Sequence, residues 1–234
     1  MGAAQGIWLN QLKAATHYNQ WIFSQIQPYL KGHTLEVGCG IGNFTEQIAQ
    51  SCPQVLAVDL NPSYVQQARD RLHAYPNLQI QTADATQLQG NQSFDTIVML
   101  DVLEHIEDDI GVLRQLGQSL EPNGTLILKV PAFNALYNSM DKVVGHYRRY
   151  TQDTLQDVLM RASFLPLDLW YFNMAGIPAW WFTGTVLRQG TPAGQQVGWF
   201  DRCVPLFQSV EAHIRCPVGL SLFAIATPKA SAKS

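Results

Sequence analysis

Leu35-Glu36-Val37-Gly38-Cys39-Gly40-Ile41-Gly42-Asn43 joins the end of an apolar strand pattern to a loop of three alternating glycines. Glycine tolerates positive φ and lets a ligand lie on the backbone without meeting a Cβ. Gly38, Gly40 and Gly42 therefore mark a tight strand-to-helix turn shaped to receive something. The spacing is G-x-G-x-G, not the G-x-G-x-x-G of dinucleotide folds, and an acid, Glu36, stands just before it. Such a charge repels a pyrophosphate and attracts a cation.

Working outward, Leu9, Leu12, Tyr18, Trp21, Ile22, Ile26 and Leu30 recur mostly at three and four, which predicts one or two amphipathic helices forming an N-terminal cover over residues 1–32. Strand patterns follow at Thr34 to Val37, Val55 to Val58, Leu78 to Gln81, Phe94 to Leu100 and Thr125 to Val130. Between them lie helical patterns at Asn43 to Ser51, Pro62 to Ala74 and Ile106 to Leu120, the last stopped by Pro122-Asn123-Gly124. Strands alternating with helices predict an α/β fold, a doubly wound and mostly parallel sheet covered on both faces. Two more strands are expected near Leu167 to Phe172 and Ser221 to Thr227. Between them residues 173–216, with Trp180, Trp181, Phe182, Trp199, Phe200 and Phe207, read as a helical insertion. The expected layout is a single domain: cover 1–32, cofactor-binding core 33–172, insertion 173–216, and last strand and tail 217–234.

The 234 residues, 47% of them hydrophobic, suffice for one sizeable core. A net charge of -3 supplies no basic field, so no nucleic-acid partner is expected. Cys39, Cys52, Cys203 and Cys216 form no C-x-x-C pair; the reading is neither a disulfide framework nor a metal site, and a reducing, cytoplasmic setting without a secretory signal. The apolar run Leu165 to Leu187 is broken by Pro166, Gly176, Pro178 and Gly184 and holds Asp168, which argues against a membrane span. Core packing is the plainest use of the insertion; a peripheral membrane or homodimer contact through 173–216 is the alternative.

Acids close successive strands: Glu36, Asp59, Asp84 and Asp101. Ligands of open α/β sheets bind outside these carboxyl ends, and Asp59, about 20 residues past the glycine turn, stands where a carboxylate accepts ribose hydroxyls. Its competing role is to cap the helix that begins at Pro62. Asp84 suits an adenine amino group, or a turn. A cofactor with an ammonium and a sulfonium, S-adenosylmethionine, fits Glu36 better than NAD does.

LEVGCGIGN at 35–43, VDLNP at 58–62, ADATQL at 83–88, FDTIVMLDVLEHI at 94–106 and LEPNGTLILKVP at 120–131 resemble, in this order, the motifs of class I S-adenosylmethionine-dependent methyltransferases. The resemblance covers roughly residues 30 to 170. It implies a Rossmann-like seven-stranded sheet whose last strand is antiparallel, with conversion of S-adenosyl-L-methionine to S-adenosyl-L-homocysteine. It also implies a cofactor site of Tyr18, Glu36, Gly38, Cys39, Gly40, Gly42, Asp59, Leu60, Asp84, Ala85, Leu100 and Asp101. The methionine part lies near Glu36, Gly38 and Gly40, ribose on Asp59, and adenine beside Asp84 and Ala85.

Asp141 to Tyr150 ends Gly145-His146-Tyr147-Arg148-Arg149-Tyr150 and resembles a GHxRRY element of a bacterial small-molecule subgroup linked to glycan or lipid-glycan pathways. Tyr147, Arg148, Arg149 and Tyr150 offer planar donors and stacking faces for a substrate, or form a charged cap for the next helix. His105 and His146 are the candidate bases, since only imidazole titrates unperturbed near neutrality. The expected function is methyl transfer to an O or N atom of a small-molecule, glycan-related or lipid-linked acceptor, including an anionic one. A noncatalytic partner subunit with this fold and an NAD-dependent oxidoreductase are the competing readings.

Overall fold

Strand residues alternate between two apolar layers, which is why the sheet is central. Leu35, Val37, Ile97, Met99, Leu126, Leu128, Val130, Leu222 and Ala224 line one face, and Val55, Val98, Ile127, Phe223 and Ile225 the other. The computed structural model describes residues 2–85, 93–190, 194–214 and 216–229 and, for residues 2–5, the backbone. Thr86, Gln87 and Leu88 of the third motif and the tail beyond 229 lie outside the described residues.

The chain opens with helices α1 (Gly2–Ala14) and α2 (Thr16–Ile26). The alternating core is β1 (His33–Val37), α3 (Thr45–Ser51), β2 (Gln54–Asp59), α4 (Pro62–Leu72), β3 (Leu78–Thr82), β4 (Phe94–Leu100), α5 (Asp109–Gln118) and β5 (Leu120–Pro131). Then come α6 (Ser139–Val144), α7 (Gln152–Arg161), β6 (Phe164–Phe172), α8 (Gly176–Trp181), α9 (Gly194–Glu211) and β7 (Ser221–Pro228). The sheet order is β3-β2-β1-β4-β5-β7-β6, with β7 antiparallel to both neighbours, so the seven strands and the reversed last strand are as expected. The helices α5 and α7 supply Val112, Leu113, Leu116, Leu155 and Leu159 to one layer; α2 and α3 supply Trp21, Ile22, Ile26, Ile48 and Ala49 to the other.

Element ends follow local chemistry. Asn61, not Asp59, caps α4, its side chain accepting from Ser63 N at 3.0 Å with Pro62 in the first turn. The helix expected from Ile106 starts at Asp109 instead, because Asp108 accepts Gly111 N at 2.9 Å. A 3₁₀ turn, Leu103–His105, fills the gap after β4. The stop at Pro122-Asn123-Gly124 is absorbed into β5 as an irregularity. The register moves from Phe94↔Leu120 to Thr96↔Thr125, so β5 uses up extra residues there and the strand still counts from Leu120.

The insertion between β6 and β7 comprises α8, a π-helical turn at Phe182–Val186 and α9. It packs as a clamp on the N-terminal cover. Asp201 of α9 accepts Tyr18 N at 2.8 Å and faces His17 Nδ1 at 3.0 Å, so its carboxylate sits on the N-terminus of α2. Glu211 accepts Asn173 N and Met174 N at 2.9 and 2.7 Å and closes the other end. No helix among the described residues is long and apolar enough to cross a membrane.

The glycine turn is packed against the 3₁₀ turn after β4. Gly38 has φ +77°, and a Cβ there would overlap Val102 Cγ2. Gly38→Ala should therefore cost about 2–4 kcal/mol from overpacking and backbone strain together. Adding Val102→Ala should recover the overpacking part and leave the strain, a coupling that urea denaturation of the single and double variants measures.

Candidate active site

The strand order reverses between β1 and β4, and the crevice outside that point is the natural ligand site of such a sheet. On its β1 wall, Glu36 is 4% exposed and its Oε2 has no hydrogen-bond partner. Burial pushes its carboxyl up to about 7, and the charge of Asp59 adds to the rise. Gly38 N and Cys39 N both donate to Val58 O, which ties the turn to the end of β2. Cys39 is buried beside Glu36 and Asp59, and its thiol is raised well above its ordinary range, first by burial and then by those two acids. Gly40 and Gly42 have φ +54° and +83°.

Asp59 is held in place by backbone. Its Oδ2 accepts Gly40 N and its Oδ1 accepts Asn61 N, each at 2.8 Å, and each oxygen keeps a second acceptor direction. Leu60 is 69% exposed beside it. Asp84 is half-buried after β3, where Ala83 N donates to Asp59 O, and Ala85 is buried in the main core. Leu100 is half-buried at the end of β4.

The β4 wall is a dense set of charges. Asp101 has φ +55°, and both its oxygens accept from Lys129 Nζ, at 2.6 and 2.5 Å. Lys129 is 3% exposed; burial works against its charge, but Asp101 and the neighbouring Tyr18 and Glu104 outweigh it and raise its pKa. Tyr18, on α2, reaches the same place. Its hydroxyl lies 3.4 Å from Asn173 Nδ2, and burial raises it. Lys129 was not singled out from the sequence, although a lysine inside the apolar run LILKVP was the visible signal.

Glu104 is fully buried, with neither oxygen hydrogen-bonded, and burial followed by the charge of Asp101 raises it strongly. His105 and His146 stand beside it with their ring centroids 4.7 Å apart. Burial and the neighbouring His146 take the His105 imidazole down to about 4, against the opposing influence of the Gly145 backbone. His146 Nδ1 lies 2.7 Å from Asp141 Oδ1 and its Nε2 lies 3.7 Å from Glu104 Oε1.

Asp141, fully buried, organises the segment behind. Its Oδ2 accepts Asn138 N and its Oδ1 accepts Arg149 Nε at 2.8 Å; burial would raise it, but His146, Arg149 and Asn138 hold it below the usual carboxylate range. Arg149 also donates to Ala132 O and lies 4.7 Å over the Trp180 ring. Arg148 faces Asp109 Oδ2 at 2.6 Å and donates to Glu107 O, while the Tyr150 hydroxyl donates to Asp109 at 2.9 Å. Three of the four residues expected to meet a substrate thus have internal partners, and the helix cap beside them is made by Thr151 with Thr154. Tyr147 alone is exposed, at 54%, and its N–H donates to Glu104 O, so the segment is docked on the Glu104 turn.

The helix α1 lies across the glycine turn. Asn43 Nδ2 donates to Leu9 O at 3.0 Å, and a Cβ on Gly40 would come within 3.1 Å of Leu9 Cδ2. Trp8 packs on Trp180 of the insertion. A cleft of about 590 Å³ runs between α1 and α9, lined by Ile7, Gln11 and Val197.

A family model described as a methyltransferase domain matches residues 35–126, from the glycine turn into β5. The chain is 34% identical over 151 residues to a ubiquinone biosynthesis O-methyltransferase of Xanthomonas campestris pv. campestris, a match covering 57% of this chain and 62% of that one. It thus spans less than two thirds of that relative's length. It is 30% identical over 166 residues to the enzyme of the same description from Xanthomonas axonopodis pv. citri, covering 64% of this chain and 68% of that one. The solved N-methyltransferase NodS of Bradyrhizobium japonicum, in complex with S-adenosyl-L-homocysteine, shares the fold with a TM-score of 0.59 at 17% identity, over 91% of this chain and 85% of that one. With the glycine turn, the strand-end acids and the reversed seventh strand in one molecule, the chain belongs to the class I S-adenosylmethionine-dependent methyltransferases.

Proposed function

We propose that this chain transfers the methyl group of S-adenosylmethionine to an oxygen or nitrogen atom of a small-molecule acceptor. The observation that carries the proposal is Glu36: a buried carboxyl with an unpartnered oxygen, next to a glycine turn, invites a cationic ligand group and repels a pyrophosphate. The same chemistry supports the fit of the cofactor to the residues present. Glu36 takes its ammonium, the bare backbone at Gly38, Cys39, Gly40 and Gly42 lies along it, Asp59 offers two remaining acceptor directions to the ribose, and Asp84, Ala85 and Leu60 flank the adenine. Tyr18, Leu100 and Asp101 close the β4 side.

The cofactor, when bound, supplies a methyl carbon made electrophilic by its sulfonium. The protein's residues align the acceptor and keep water out. The Glu104, His105 and His146 cluster would take the proton that the acceptor gives up on methylation, with S-adenosylhomocysteine left as the other product. Arg148, Arg149 and Tyr150 serve as supports of that cluster in this reading. With both guanidiniums facing carboxylates, recognition of the acceptor falls to Tyr147 and not to a free arginine. The printed names of the Xanthomonas relatives favour oxygen over nitrogen as the methylated atom.

Two outcomes test the cofactor site. S-adenosylhomocysteine should raise the melting temperature while NAD leaves it unchanged, and Glu36→Gln should weaken binding about 10- to 100-fold, the worth of a hydrogen bond to a charged group. Label transfer from S-adenosylmethionine to a component of fractionated cell extract then separates an enzyme from a noncatalytic subunit: binding without label in any fraction sinks the catalytic reading.

The titration of Glu36 has a defined sign. Its folded pKa, about 7, lies above the ordinary 4.5, so its protonated form is the one the free fold favours. Below pH 7 the proton competes with the ammonium, and calorimetric affinity for S-adenosylhomocysteine should fall toward tenfold per pH unit. Conversely, the stability that the protonated group contributes is complete below pH 4.5 and lost as pH rises through 7. Ligand-free Glu36→Gln should thus melt above wild type at pH 8, with the difference closing toward pH 4.

A further inference from the structure

We propose that Glu104, His105 and His146 form a binding site for one divalent transition-metal ion. The ligand atoms of these three side chains lie within 4.8 Å of one another, two from the turn after β4 and one from the loop after α6. Two imidazoles and one carboxylate form a donor set that suits zinc, cobalt, manganese or iron better than magnesium, which prefers oxygen.

Three features distinguish this cluster from a chance grouping. First, the charges around it balance in pairs: Asp101 with Lys129, Asp141 with Arg149, Asp109 with Arg148. Glu104 is left fully buried, its nearest basic atom His146 Nε2 at 3.7 Å and both its oxygens without a hydrogen bond. A buried carboxylate so placed is unfavourable unless protonated or coordinated. Second, the His146 ring is oriented by its other nitrogen. The contact of His146 Nδ1 with Asp141 leaves Nε2 toward Glu104, and the His105 ring lies beside the backbone of Gly145. A carboxylate or carbonyl behind each ligating histidine is the usual second layer of a metal centre. Third, Glu104 is sealed while both rings are only partly buried, His146 with 10% of its side chain exposed, so access to the cluster is from the histidine side.

The cysteine pattern gave no sign of such a site because no cysteine takes part. If the methyl-transfer reading also holds, an oxygen- or nitrogen-bearing acceptor could take the open position; the metal site itself rests only on the cluster.

The test uses the full chain, stripped with a chelator and titrated with Co²⁺. Wild type should take up one ion per chain with visible d–d bands, no thiolate charge-transfer band, and displacement by Zn²⁺. Glu104→Gln and His146→Gln should each weaken uptake by more than about tenfold, and Asp141→Asn, which disturbs only the support, by about tenfold. His105→Asn provides a second ligand variant where circular dichroism shows another to be unfolded. Uptake no greater than that of Glu104→Gln, or a thiolate band from a site at exposed Cys203, overturns the proposal. Melting shifts with S-adenosylhomocysteine on the same samples keep the two readings apart: an intact shift without cobalt uptake sinks only the metal site, and cobalt uptake without a shift sinks only the methyl donor.

Discussion

The contact between Gly38 and Val102 is the constraint on which the crevice depends. One residue belongs to the turn after β1 and the other to the turn after β4, so their packing sets how close the two walls stand. Any side chain at position 38 would push them apart. With glycine there, the buried carboxyl of Glu36 and the charge cluster that starts at Asp101 face one space from two sides. The positive φ of Asp101 belongs to the same arrangement, because it turns the chain sharply at the end of β4 and brings the carboxylate onto Lys129.

Charge is distributed unevenly between the two walls, and the imbalance separates support from function. Asp141, Asp109 and Asp101 each have a guanidinium or ammonium partner, and with them they hold α6, the segment 145–150 and β5 in fixed relation. Glu36 and Glu104 have no such partner. Both are buried, both are raised by burial, and both border the crevice. Burying a carboxyl without compensation is unfavourable, so the fold tolerates at these two positions what it avoids elsewhere.

The aromatic insertion finds its physical reason in the N-terminal cover. α2 enters the fold with no acid in its first turn, and the carboxylate it lacks is supplied by Asp201 from α9. Tyr18 is thereby fixed in the first turn of α2, with its hydroxyl directed at Asn173 and its ring against Phe172 and Phe200. The insertion thus holds part of the crevice wall, while Trp181, Phe182 and Trp199 remain on its outer surface.

Most of the architecture was legible in the residues themselves. Apolar alternation and helix caps are local, so the strands, the parallel core, the glycine turn and the acids at the strand ends could be read in order, with errors only where an end was decided by a side-chain cap such as Asp108 or absorbed by a bulge as at Gly124. What a side chain faces is not local. That Arg149 and Tyr150 turn inward to Asp141 and Asp109, that Lys129 neutralises Asp101, that Glu104 meets His146 from a distant loop, and that α1 lies over Gly40 all depend on how separate elements are brought together. Only the packed sheet, with its reversal between β1 and β4, decided them.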